Sequence, residues 1–348
     1  MKIGIWVCLT MFLLIGCQAS SPIEEVTISL AWAYRAGDYV RGMPTVSGGV
    51  VYAGADDNTL HAVDIDGGEA LWRYETSDNI TSAPAISGDT IYFGSWDGAV
   101  YALETGQGEQ KWRYETNGWV TASPVISDDV LYVGSYDGFL YALAAEDGDL
   151  VWRRELGGRI EGGAALAGDS IFVGSADNYV YALHVANGEP QWRYRTEGDI
   201  LTTPAIEGNT VYVGSLDGTL YALDASTGQP RWTFAAGYAI QSSPVVTAGV
   251  VYVGGDDGRL YALRDRDGRL VWQYQTDSIV RSSPAVWRHL VFAGSDDGYL
   301  YAIDGRTGAL VWRYRTGGAI AAGPTVTDGR LFVSSTDRRL HAFELSAE

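Results

Sequence analysis

The stretch YALDASTGQPRW (Tyr221–Trp232) decides the fold, because its pattern returns every forty residues. The tryptophan recurs at Trp32, Trp72, Trp112, Trp152, Trp192, Trp232, Trp272 and Trp312 with no insertion or deletion between them. The aspartate of the preceding turn keeps the same period at Asp57, Asp97, Asp137, Asp177, Asp217, Asp257, Asp297 and Asp337. Self-similarity at a fixed period marks a repeat architecture, in which each unit hides its apolar faces only against its neighbours.

One unit, residues 241–276, shows what is repeated. SSPVV (Ser242–Val246), VVYVG (Val250–Gly254), LYAL (Leu260–Leu263) and LVWQY (Leu270–Tyr274) are short β-branched and aromatic runs separated by turn residues. Four strands of about five residues with tight turns fill the period. Successive side chains of a strand point to opposite faces, yet Leu260 and Ala262 on one face and Tyr261 and Leu263 on the other are all apolar. A sheet apolar on both faces must be sandwiched on both sides, which radially stacked four-stranded blades achieve.

The ends of the chain choose between an open stack and a ring. The first tryptophan strand, AWAYR (Ala31–Arg35), lacks the three strands that precede every other one. The last unit supplies GPTV, RLFVS and LHAFEL (Leu340–Leu345) but no tryptophan strand. The fragments complete one another, so the sequence predicts an all-β, eight-bladed β-propeller of four-stranded antiparallel blades, closed by pairing of its N- and C-terminal strands. An open solenoid would need polar end caps instead.

ALDASTGQPRW (Ala222–Trp232) and AIDGRTGALVW (Ala302–Trp312) both fit A-x-D-x-x-T-G-x-x-x-W. That pattern resembles the tryptophan-docking repeat of pyrroloquinoline-quinone-type propellers. The resemblance implies that the motif joins the third strand to the outer strand and that the tryptophan packs between blades. The other units keep Ala, Gly and Trp, as in ALETGQGEQKW (Ala102–Trp112), and the resemblance covers residues 31–345.

Ahead of the repeats lie Lys2, an apolar run from Ile3 to Ile15, and LIGC (Leu14–Cys17). Thirteen residues, apolar but for Thr10, are too few for a spanning helix and suit a cleaved export signal. LIGC resembles the lipobox of bacterial lipoproteins, which implies that Cys17 becomes an acylated N-terminus. Residues 1–16 are therefore expected as signal peptide, 17–30 as lipidated cysteine and polar tether, and 31–348 as one propeller domain. In a bacterium with two membranes, Gln18 after the cysteine resembles the pattern sorted to the outer membrane, facing the periplasm.

Composition narrows the chemistry. Cys8 lies in the signal and Cys17 at the lipid site, so the repeats contain no thiol for disulfides, catalysis or metal. The net charge of −19, with Lys111 the only lysine after Lys2, argues against nucleic acid as a partner. His61 and His341 stand where other units carry Tyr, and read as substituted structural aromatics. Quinoprotein dehydrogenases share this fold, and membership among them would imply a vicinal cysteine pair, side-chain calcium ligands, an aspartate base and long pocket-building loops. The uniform forty-residue units show none of the first or last. The acidic doublets Asp56-Asp57, Asp256-Asp257 and Asp296-Asp297 sit in turns, where aspartate bonds its own backbone.

The expected function is a membrane-anchored, non-enzymatic interaction scaffold, without cofactor or metal, resembling the lipoprotein propellers of outer-membrane β-barrel assembly; a quinone-dependent dehydrogenase or ligand-binding propeller is the alternative. Two sets of connections break the repeat. After the tryptophan strand they read Tyr39, Asn79, Trp119, Arg159, Asp199, Ala239, Ile279 and Ala319. Between the second and third strands they read Asp56, Trp96, Tyr136, Ala176, Leu216, Asp256, Asp296 and Thr336. Both sets emerge on one face of the ring. Trp96, Trp119, Tyr136, Arg159 and Glu161 cluster in one sector and are the candidate partner-binding residues, since such residue types dominate protein interfaces.

Overall fold

The computed structural model describes residues 26–347. After a first strand β1 (Val26–Arg35), the chain forms β2 (Thr45–Ser47), β3 (Val50–Gly54), β4 (Thr59–Asp64) and β5 (Ala70–Glu75), a four-stranded antiparallel blade. The same blade repeats over 85–115, 125–155, 165–195, 205–235, 245–275 and 285–315. The eighth blade is composite: Thr325–Thr327, Arg330–Ser335 and Arg339–Ala347, with β1 added outside. This is the eight-bladed ring closed between the termini that the sequence predicts.

The closing pair runs from Val26 opposite Ala347 to Arg35 opposite Arg339. It reaches five residues further back than Ala31. Val26–Leu30, expected as tether, are therefore strand, and Ile28 packs into the apolar layer between blades seven and eight with Phe343 and Leu345. Alternating Val, Ile and Leu in VTISL suit a strand, and the polar residues between them face water. The expected signal peptide, Cys17 and the remainder of the tether lie outside the described residues.

Local chemistry sets each blade. Two-residue turns between first and second strands put the first central residue at positive φ and in some blades both, as at Gly48 (57°) and Gly49 (81°), the twist that tight antiparallel hairpins favour. Between third and outer strands, a bulge follows the motif alanine and places it opposite the tryptophan, as Ala222 opposite Trp232. Seven indole N–H groups donate to a carbonyl of the next blade, among them Trp192 to Ala225 (2.8 Å) and Trp32 to Ile65 (3.0 Å). Trp312 instead meets Phe343 edge-on, with centroids 5.4 Å apart.

The motif glycine has a second duty that its turn position conceals. Gly228 adopts φ +70°, and a Cβ there would lie 2.6 Å from the ring of Trp192 in the preceding blade. Gly228→Ala is expected to destabilise the ring by about 2–3 kcal/mol through backbone strain plus displacement of the indole. Gly208, with φ +56° and open space around it, is the control, and its alanine variant should cost only the strain, about 1 kcal/mol. Urea unfolding of both variants separates the two contributions; equal losses would mean that the indole contact is dispensable.

The motif aspartate ties its own turn. The Asp304 carboxylate accepts from the backbone N–H of Arg306 and of Thr307 (both 2.9 Å) and from the Thr307 hydroxyl (3.1 Å), and pairs with Arg306 at 3.0 Å. Burial opposes its ionisation, but Arg306 and these donors prevail and hold the carboxyl at about 2. Because the folded value lies below the ordinary one, this stabilisation is complete above about pH 4 and is lost as pH falls through about 2. Asp304→Asn is thus expected to reduce stability by about 1–2 kcal/mol at pH 7 and by much less at pH 2, as read from melts at both pH values.

Candidate partner-binding face

Each connection that follows an outer strand is clipped to the connection inside the next blade by one backbone bond. Trp96 N–H donates to Asn79 O (2.9 Å), Tyr136 N–H to Trp119 O (2.8 Å) and Ala176 N–H to Arg159 O (3.0 Å). These clips put the two variable sets side by side on one face of the ring.

There the five candidates meet. Trp96 and Trp119 stack with centroids 4.7 Å apart and planes 15° apart, and Trp119 leans on Tyr136 at 5.3 Å. The Arg159 guanidinium lies over the Tyr136 ring at 5.7 Å, bonds Glu161 at 2.5 Å and approaches Asp199 at 3.6 Å. The result is a continuous strip from blade two to the junction of blades four and five. Trp119 is 45% exposed, a large apolar surface for a soluble face. Trp96 and Tyr136 are half-buried rather than fully exposed, because their rings support Trp119. Trp96 is further fixed by its N–H to the Thr81 hydroxyl (2.9 Å). Burial first, then the Glu161 carboxylate, pushes the Tyr136 hydroxyl up to about 12, so it stays a neutral donor at any physiological pH.

Beyond this strip the face is ionic. Arg41 bonds Asp56 (3.0 Å) and covers Tyr39, while Arg281 lies between Asp256 (3.9 Å) and Asp296 (3.5 Å). Burial raises the carboxyls of Asp56 and Asp296, with the arginines opposing it. The acidic doublets thus divide their labour. Asp57 and Asp297 bond turn backbone, at Thr59 and Tyr299, as expected. Asp56, Asp256 and Asp296 instead face the arginines of the surface. Among the described residues, no group of three or more His, Cys, Asp or Glu is arranged to hold a metal ion.

The two variable sets omit a third. Positions 41, 81, 121, 161, 201, 241, 281 and 321 read Arg, Thr, Thr, Glu, Leu, Gln, Arg and Ala, and this ring supplies Arg41, Thr81, Gln241 and Arg281 to the face. Its variability was the available signal, visible only when each residue before the SSP-like start is aligned. Three buried polar atoms of the face, Asp56 Oδ1, Thr121 Oγ1 and Asp256 Oδ1, have no hydrogen-bond partner among the described residues. Buried polar groups are ordinarily satisfied, so this face retains unused bonding capacity.

The whole propeller matches a family model described as outer membrane protein assembly factor BamB, over residues 23–194, 197–288 and 277–347. Among solved structures, BamB from Moraxella catarrhalis superposes with a TM-score of 0.80 at 22% identity, covering 91% of this chain and all of that one. The quinohemoprotein alcohol dehydrogenase of Comamonas testosteroni superposes with a TM-score of 0.79 at 17% identity, over 91% of this chain and 76% of its own. A computationally designed protein, Ika8, gives 0.80 at 19% identity, over 89% of this chain and 97% of its own. At these identities the likenesses establish the fold alone. No curated protein sequence matches the chain.

Proposed function

Since the chain belongs to the family of the outer membrane protein assembly factor BamB, we propose that it is a non-enzymatic interaction propeller, anchored through Cys17 to the outer membrane on its periplasmic side, that docks a component of β-barrel protein assembly. The observation that carries this reading is the strip Trp96–Trp119–Tyr136–Arg159. Aromatic and arginine side chains, pre-stacked and thus with little rotamer freedom left to lose, are what a protein interface uses as anchors. The uniform short connections leave no loop to enclose a quinone, and the only cysteines are Cys8 and Cys17.

Co-purification from detergent-solubilised membranes tests the partner: barrel-assembly proteins should be recovered with the full chain. Dye-linked oxidation of alcohols or sugars after addition of pyrroloquinoline quinone and calcium would overturn the non-enzymatic reading. Cys17→Ser is expected to abolish incorporation of labelled fatty acid and to leave unprocessed precursor or released protein. Labelling that persists in the variant would remove the anchor from the proposal. Several acyl chains are needed for stable attachment, so any processed protein that lacks the cysteine should leave the membrane fraction.

A further inference from the structure

The repeat fails once at a position that every other blade keeps aromatic. Two residues beyond the tryptophan stand Tyr34, Tyr74, Tyr114, Tyr194, Phe234, Tyr274 and Tyr314, but in the third blade Arg154. Each of the seven rings meets the third-strand Tyr or His of the following blade in one geometry. Their centroids lie 5.2–5.8 Å apart and their planes cross at 56–65°. The corresponding ring in the fourth blade is Tyr181.

Arg154 does not fill that place. Its Nε donates to Gly188 O (2.8 Å) and its terminal nitrogen to Glu189 (2.6 Å), so the guanidinium is drawn to the adjacent turn and only a thin aliphatic stem crosses the gap. What remains is a cavity of about 610 Å³ between blades three and four, lined by Arg154, Leu156, Asp177, Tyr181, Trp192 and Arg193 among others. Leu156 is a second local departure. Five blades carry a threonine there whose hydroxyl bonds a backbone carbonyl, as Thr116 does to Gly98 O (2.8 Å). The buried leucine makes the wall apolar instead. On the far wall the Tyr181 hydroxyl donates to Asp177, and Arg193 is held over the ring of Tyr179 at 4.7 Å.

We propose that this cavity is a binding site for a small, uncharged aromatic molecule of the phenol or indole class. The chain supplies the template, for seven equivalent junctions show a ring seated edge-on against the residue equivalent to Tyr181. The volume lies within the range of small-molecule sites, about 300–1,000 Å³, and leaves room for a second ring or substituent. Arg154 and Arg193 are balanced by Glu155 and Asp177, so the lining selects no ionic charge. Tyr181, Trp192 and Leu156 offer the apolar and edge-to-face contacts that a ring takes up. The site lies between blades, apart from the stacked strip, and stands or falls independently of the docking proposal.

The test is titration of the purified full chain with p-cresol and with indole, followed by melting temperature and by transfer of magnetisation from ligand ring protons to Tyr181. Saturable binding, a raised melting temperature and contact with Tyr181 are expected. Arg154→Tyr, which restores the repeat, should melt higher than the parent without ligand and bind neither probe. Arg154→Ala should fold and bind at least as well as the parent. The proposal is overturned if neither probe binds, if Arg154→Tyr binds them equally or fails to fold, or if a tyrosine-bearing peptide binds where p-cresol does not.

Discussion

Removal of Val26–Arg35 is expected to abolish the cooperative unfolding transition of the ring, the largest stability effect any short deletion in this chain should have. The deletion strips the eighth blade of its outer strand and leaves Arg339–Ala347 as a bare edge, a template for aggregation. It also removes Trp32, whose N–H bonds Ile65 of the first blade, and Tyr34, which meets His61 and accepts from Arg73. The apolar layer joining first and last blades contains Tyr34 with Val40, Val51 and Phe332, so the seam opens from both sides. Trp32→Ala alone should cost about 2–3 kcal/mol, less than a fully buried tryptophan because this indole is half-exposed. Whole domains are stable by only about 5–15 kcal/mol, and the deletion forfeits ten residues of pairing as well. Circular dichroism melts and gel filtration of the deleted protein would show it; a transition matching the parent's would refute closure as the source of the ring's stability.

Simultaneous replacement of Trp96, Trp119 and Arg159 by alanine is expected to weaken partner capture by about 3 kcal/mol or more, at least a hundredfold in affinity. Trp96 and Trp119 stack on each other and Arg159 pairs with the surface carboxylates of Glu161 and Asp199, so the melting temperature should fall by only a few degrees. The loss of the Trp96–Trp119 stack is worth about 0.5–1.5 kcal/mol, and Thr81 is left with water as its partner. Arg266→Ala, an exposed change in a turn between third and outer strands, is the control and should leave capture intact. Capture that survives the triple change, or that is lost together with the fold, would sink the assignment of the strip.

The fold was legible because its cause is periodic. Eight tryptophans at an unbroken spacing, strands apolar on both faces and complementary fragments at the termini admit one closed arrangement; the motif glycine and tryptophan are explained by contacts between neighbouring blades and the motif aspartate by its own turn. Val26–Leu30 escaped because the repeat offers no precedent for an outer strand ten residues long; its alternation of apolar and polar residues was present, but without the period to frame it. The candidate face was legible as a list of positions that vary. Variation says where symmetry is broken and not what the broken positions do together.

Only the tertiary structure decided those joint properties. That Trp96, Trp119, Tyr136 and Arg159 form one stacked strip depends on the curvature of the ring and on the backbone clips between connections forty residues apart, neither of which a linear pattern contains. The separation of each acidic doublet into one turn-binding and one arginine-facing carboxylate likewise depends on which way a short loop points its side chains. The vacancy beside Tyr181 follows the same logic. In sequence Arg154 is one substitution in a conserved-looking WRY triplet of the repeat, whereas in space it is a missing ring whose neighbours keep its shape. The period of the chain determines which blades touch, because covalent spacing and apolar faces allow no other order. What a surface or cavity can hold is settled by the packing of side chains across those blades, where distances between residues far apart in sequence are set.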